Sequence, residues 1–174
     1  MSSTCSLQDF IPTFAAANGE TELVEKVRKG YKIGEKTFKV HLDGYNLLPF
    51  LSGKEEECPR QGFLYWSDDG DMMAVRMGRY KVVFAEQRSK GLDVWREPLS
   101  PMRIPKFFDL RSDPFERGEE SFKYNDWFTE NVFLQYAAPP LLAKWLESFK
   151  EFPPRARAAS FSIDQVVEKL MPKS

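Results

Sequence analysis

Gly62-Phe63-Leu64-Tyr65-Trp66-Ser67-Asp68-Asp69-Gly70-Asp71-Met72-Met73-Ala74-Val75-Arg76-Met77-Gly78-Arg79-Tyr80-Lys81-Val82-Val83-Phe84 is the stretch that decides the fold. Three runs rich in aromatic, aliphatic and β-branched residues are divided by two short turn signals, Asp68-Asp69-Gly70-Asp71 and Gly78-Arg79. The pattern predicts strands over Gly62–Ser67, Met72–Met77 and Tyr80–Gln87, joined as an antiparallel meander. Downstream, three prolines between Arg88 and Pro105 predict a long loop crossing an edge of the sheet. Lys106–Leu110 reads as a fourth strand. Arg111–Glu116 reads as a turn in which Asp113 accepts backbone N–H bonds and Pro114 fixes φ.

Outward from the sheet the periodicity turns helical. Leu7, Phe10, Ile11, Phe14 and Ala15 recur at three- and four-residue steps, with Ser6 as N-cap and Gly19 as the stop. Pro12 divides that stretch into an entry turn ending near Phe10 and a helix carrying Pro12 in its first turn. Glu22–Lys29 reads as a second short helix closed by Gly30. Tyr31–Leu42 is a short strand or extended linker, and Asn46–Leu51 a helical turn. Charged Lys54–Gln61, broken by Pro59, reads as an exposed loop. Beyond the sheet, Asn125–Gln135 is amphipathic. Pro139 opens a helix over Leu141–Lys150 with Leu141, Leu142, Trp145, Leu146 and Phe149 on one face. Ser162 caps a last helix, Ile163–Leu170. The fold class is α+β: a small four-stranded antiparallel sheet packed with helices.

Composition narrows the functional classes. The 174 residues are 42% hydrophobic and 14% aromatic, which is a globular rather than a disordered composition. Lys+Arg at 25 against Asp+Glu at 26 gives a formal charge of −1, which argues against nucleic acid as the main partner. No apolar run approaches the length of a membrane span. The first residues carry no secretory leader pattern, so the compartment stays open. Cys5 and Cys58 have no further cysteine or histidine at ligand spacing, and their sparse usage reads as reduced and structural.

Several residues invite a functional reading. His41 is the only histidine; Asp43 points the same way if the segment is extended, which makes His41 a lip-of-cleft candidate, although a hydrogen-bonded histidine at a domain junction is the favoured reading. Arg76, Arg79 and Lys81, with Arg88, Lys90, Arg96 and Arg103, lie among Trp66, Tyr80 and Trp95. Such a set can grip a sulfated or sugar ligand by bidentate bonds and stacking, and a solvated sheet face explains it equally well. The substrate-binding candidates are therefore His41, Arg76, Arg79, Lys81 and Trp95. Asp68-Asp69-Gly70-Asp71 has the composition of a calcium loop but not its alternation or its distant Glu, so a hairpin turn is favoured. No residue is assigned as catalytic and none as a metal ligand.

Two segments carry a family resemblance. Leu42-Asp43-Gly44-Tyr45-Asn46-Leu47-Leu48-Pro49-Phe50-Leu51-Ser52-Gly53-Lys54 and Phe108-Asp109-Leu110-Arg111-Ser112-Asp113-Pro114-Phe115-Glu116-Arg117 resemble the Asp-Gly-x-x-Leu-x-Pro-x-Leu-x-Gly and Leu-x-x-Asp-Pro-x-Glu segments of arylsulfatases, in the alkaline-phosphatase-like superfamily. Ser6–Gly19 is similar to the family's Asp-x-x-Pro-Thr helix, Met73–Phe84 to its C-terminal hairpin, and Phe149–Arg155 with Ser160–Gln165 to the tail of a bacterial subgroup. The resemblance implies that residues 1–53 are terminal helices and an exit loop of the catalytic domain, and 54–174 the C-terminal subdomain. It implies a parent that hydrolyses sulfate esters with Ca²⁺ and a formylglycine made within Cys/Ser-x-Pro-x-Arg, in the cytoplasm or periplasm. Cys58-Pro59-Arg60 has the residue types at the wrong spacing, and the family's calcium aspartates belong to segments upstream of Leu7. The expectation is a non-catalytic chain without a cofactor of its own, partnered by a sulfatase catalytic domain and shaping its substrate mouth through the Arg88–Pro105 loop. The alternative is a self-associating or ligand-binding module, since the Leu7–Ala17 helix would show an apolar stripe if left uncovered.

Overall fold

The structure, a computed structural model, describes residues 4–153. Among the described residues the fold is α+β: six α-helices, a two-stranded sheet and a four-stranded antiparallel sheet. The chain divides into two compact units, the first ending at Gln61 and the second starting at Gly62.

In the first unit, a single turn over Leu7–Asp9 runs into α1, Phe10–Ala17. Pro12 therefore sits in the first turn of α1, where its missing N–H costs nothing. α2 spans Leu23–Lys29, and β1 (Tyr31–Ile33) and β2 (Lys36–Phe38) form a short exposed hairpin. After it the chain runs without regular secondary structure to α3, Leu48–Leu51.

A buried ion pair holds this unit together. Asp9 is 0% exposed and Arg60 3%. Arg60 Nε donates to Asp9 Oδ2 at 2.7 Å and Nη2 to Oδ1 at 2.6 Å. The same carboxylate accepts the backbone N–H of Ser6 at 2.9 Å and of Tyr45 at 2.8 Å. Arg60 Nη2 also donates to the Asp43 carbonyl at 2.7 Å, and the guanidinium lies 4.8 Å over the Tyr45 ring. Burial opposes ionisation of Asp9, but the Arg60 bonds and the two backbone donors outweigh it and hold the carboxyl below its ordinary value. Thr13 extends the seam: its hydroxyl accepts from the Leu47 N–H at 2.9 Å and donates to the Asp9 carbonyl at 2.6 Å. Gly44 lies so close to α1 that a Cβ there would sit 2.2 Å from the Gln8 carbonyl oxygen. Asp9, Thr13 and Asp43-Gly44-Tyr45 thus form one structural seam. This corrects the reading of Lys54–Gln61 as an exposed loop: Cys58 and Arg60 are buried, because a dry carboxylate needs a paired cation.

In the second unit, β3 (Gly62–Trp66), β4 (Met72–Met77), β5 (Tyr80–Glu86) and β6 (Ser100–Asp109) pair in sequence order. The meander is as the turn signals require, and Asp68–Asp71 is a hairpin turn closed by Ser67 N–H donating to the Asp71 carbonyl at 2.8 Å. β6 starts six residues earlier than the expected fourth strand, at Ser100. It is an edge strand, where prolines are tolerated. Val83 pairs with Lys106 and Ala85 with Pro101, so Met102–Pro105 bulge out between them.

One sheet face makes the core. Met72, Val75, Val82, Phe84 and Phe107 pack with Leu134, Ala138, Leu142 and Leu146. These helical residues recur every four positions along α5, Leu134–Leu146, which runs straight through Pro139 and Pro140. Proline was expected to open this helix, not to lie inside it; the continuous buried stripe outweighs the hydrogen bonds the two prolines remove. α4 (Tyr124–Glu130) stacks Phe128 on Phe107 with ring centroids 5.0 Å apart. The Tyr124 hydroxyl accepts from the Phe107 N–H at 3.2 Å and donates to its carbonyl at 2.9 Å. α6, Ser148–Glu151, follows. The expected helix Ile163–Leu170 lies outside the described residues.

Candidate functional site

The other face of the four-stranded sheet carries a cavity of about 380 Å³. Register places its walls. Phe63, Arg76, Lys81 and Phe108 stand in one row across the strands, and Tyr65, Ala74, Val83 and Lys106 in the next. Alternation sends these side chains away from the core that Val75, Val82 and Phe107 fill.

The lining combines aromatic surface with neutralised charge. Lys81 Nζ is 2.6 and 2.8 Å from the two Glu116 carboxylate oxygens and 4.5 Å from the Tyr65 ring centroid. Lys106 Nζ bridges Glu86 at 2.6 Å and Glu119 at 2.5 Å. Glu86 also accepts from Arg88 Nε at 2.9 Å. Burial disfavours charge on Lys106, yet its two carboxylates prevail and hold the ammonium above its ordinary value. Burial likewise works against Glu86, and Lys106 and Arg88 reverse it, keeping that carboxyl low. Burial raises the Tyr65 hydroxyl. Lys106 therefore stays cationic at neutral pH and is not a proton acceptor.

Glu116 supplies one wall at a conformational cost. Its φ is 56°, a left-handed backbone that side chains rarely adopt. Asp113 organises the same turn, accepting the Arg117 N–H at 3.0 Å and the Gly118 N–H at 2.6 Å, as its sequence context implied. Asp109, just before the turn, accepts the Arg111 N–H at 3.1 Å and pairs with Arg79.

The sequence candidates fall in different places. Lys81 lines the cavity, and Arg76 stands directly across from it in the register, with Nε donating to the Gly78 carbonyl at 3.0 Å. Arg79 lies at the hairpin end, 5.0 Å over the Tyr80 ring. Trp95 ends a single turn over Gly91–Trp95 and is 77% exposed. His41 belongs to the first unit, its Nδ1 3.2 Å from Asp43 Oδ1. Sequence reasoning missed Lys106, Glu86 and Glu119 as a cluster; the early signal was opposite charge at Lys106 and Glu86 on neighbouring strands, and Glu119, in the turn over Gly118–Glu120, gave none.

Cys58 is buried, its Sγ donating to the Thr4 carbonyl at 3.2 Å. Among the described residues, no three or more His, Cys, Asp or Glu side chains converge as a metal site. No known family model matches the chain, and no curated protein matches it.

Proposed function

We propose that this chain is the C-terminal accessory lobe of an arylsulfatase-like sulfuric ester hydrolase, without chemistry of its own. The observation that carries the reading is the two-sidedness of the segment formed by the Leu7–Asp9 turn and α1. Its inner side is pinned by Asp9 and Thr13 to residues 43–47. Its outer side presents Leu7, Phe10, Ile11 and Phe14 to solvent, with Leu7 80% and Phe14 62% exposed. A rigidly held helix that shows an apolar stripe is a docking element, and the resembled Asp-x-x-Pro-Thr helix names the occupant: the catalytic portion of the sulfatase. The connector between β5 and β6 projects Leu92, Val94 and Trp95 outward, which suits the rim of a substrate mouth. The sequence also lacks Cys/Ser-x-Pro-x-Arg, so the nucleophile must come from elsewhere in the parent.

The test has two arms. The purified chain, supplied with Ca²⁺ and an aryl sulfate, releases no sulfate; turnover above the buffer blank overturns the reading. Coexpressed with a sulfatase catalytic portion truncated before its Asp-x-x-Pro-Thr helix, the chain copurifies, and Phe14→Asp abolishes this. Stable self-association through the same stripe, with no binding to the catalytic portion, would instead make the chain an independent module.

A further inference from the structure

The cysteines, fifty-three positions apart in sequence, are brought together by the fold. Cys58 Sγ lies 3.2 Å from the carbonyl oxygen of Thr4, the residue bonded to Cys5. Standard backbone geometry sets the Cys5 Cα about 2.8 Å beyond that oxygen, so it lies within about 6 Å of the Cys58 sulfur. A disulfide places a sulfur roughly 4 Å from its partner's Cα, so rotation of the Cys5 side chain and a small shift of the terminal residues complete the approach. Asp9 and Arg60 hold the two segments in register, four residues after Cys5 and two after Cys58.

The two thiols differ in access. Cys5 is exposed and Cys58 is buried, and both are free. We propose that Cys5 and Cys58 form a redox-active dithiol in which Cys5 meets the oxidant and Cys58 resolves it. With a peroxide as oxidant, the Cys5 thiolate attacks one peroxide oxygen, the O–O bond breaks, and Cys5 becomes a sulfenic acid while hydroxide leaves and takes a proton to become water. The Cys58 sulfur then attacks the sulfenic sulfur, the S–O bond breaks, and a second water departs with the Cys58 proton. Two thiols lose two electrons in all, and the peroxide accepts them. The product ties residue 5 to residue 58 around the Asp9–Arg60 pair, replacing the Cys58–Thr4 hydrogen bond with a covalent link.

The test uses the full chain, reduced and then treated with an equivalent of hydrogen peroxide. The expected product is a monomer lighter by two hydrogens. Its tryptic map, run without reductant, joins the peptide ending at Lys26 to the one ending at Arg60, and reductant separates them. Cys58→Ser leaves Cys5 without a resolving partner, so the same treatment drives it to sulfinic acid or to chains linked through Cys5. Arg60→Lys, which keeps the charge but loses the paired bonds, slows closure several-fold. Recovery of wild-type chain with Cys58 still alkylatable after unfolding, and Cys5 over-oxidised or linked between chains, overturns the proposal. Equal closure rates in unfolded and folded chain would overturn it too, since the fold would then contribute nothing.

Discussion

Asp9 and Arg60 face each other through two bonds of 2.7 and 2.6 Å, fifty-one residues apart in sequence, in a site closed to water. Such a pair is stable only as a pair. Arg60→Ala leaves a dry carboxylate with two backbone donors and no countercharge, and costs about 3–5 kcal/mol. Arg60→Lys recovers only part, because a point charge cannot make the fork of two bonds and the Asp43 contact together. Urea unfolding read by tryptophan fluorescence and by backbone dichroism measures both losses.

Acid sensitivity follows from the same carboxylate. Asp9 is held below its ordinary value of 3.8, and Glu86 and Asp109 are held low too. A carboxyl whose folded pKa is depressed stabilises the fold above the unfolded value, and that stability is lost as pH falls through the folded one. Stability is therefore flat from neutral pH to about 5 and declines below about 4. Lys106 has the opposite sign: it is held above 10.5, so its contribution is intact below that pH and fades above it. A melting curve at each pH checks both flanks.

Gly44 and Gly62 are close-approach glycines. A Cβ on Gly62 would sit 2.1 Å from the Arg76 carbonyl oxygen, and on Gly44 2.2 Å from that of Gln8. Both neighbours are backbone and cannot swing away. Gly44→Ala and Gly62→Ala each destabilise by about 1–3 kcal/mol, the cost typical of overpacking, measured as a shift in denaturant midpoint.

Lys81 and Glu116 are coupled to backbone strain. Removing the ion pair by Lys81→Met costs about 1.5–3 kcal/mol, as for a hydrogen bond between charged groups. Once Lys81 is methionine, Glu116→Gly is more stable than Glu116→Ala by about 1 kcal/mol, because glycine adopts φ near 56° freely. A double-mutant cycle on thermal unfolding separates the two effects.

Ile11→Asp and Phe14→Asp act on association and leave folding almost unchanged, because both side chains are exposed. Sedimentation velocity across a range of concentrations, alone and with the catalytic portion, reads this outcome.

Much of the sheet was legible because its punctuation is local: Asp68–Asp71 and Gly78-Arg79 each lie between runs of strand-forming residues. Ser100–Pro105 was not, since two prolines read as loop unless the strand is known to lie at an edge. The course of α5 through Pro139-Pro140 was hidden for a related reason, as the stripe from Leu134 to Leu146 acts only once the sheet is there to receive it. At the candidate site, Arg76 and Lys81 stood out as basic residues among aromatics. The carboxylate partner of Lys81, Glu116, comes from thirty-five positions away, and that of Lys106, Glu86, from twenty. The burial of Arg60 depends likewise on a partner that sequence spacing does not reveal.

β6 also bears on how the protein behaves in a crowded solution. Pro101 and Pro105 have no amide hydrogen to offer a neighbour, and the Tyr124 hydroxyl already engages both main-chain groups of Phe107. A foreign strand approaching that rim finds a ladder with missing rungs and the exposed charge of Arg103 beside them, so this border of the sheet resists amyloid-like stacking.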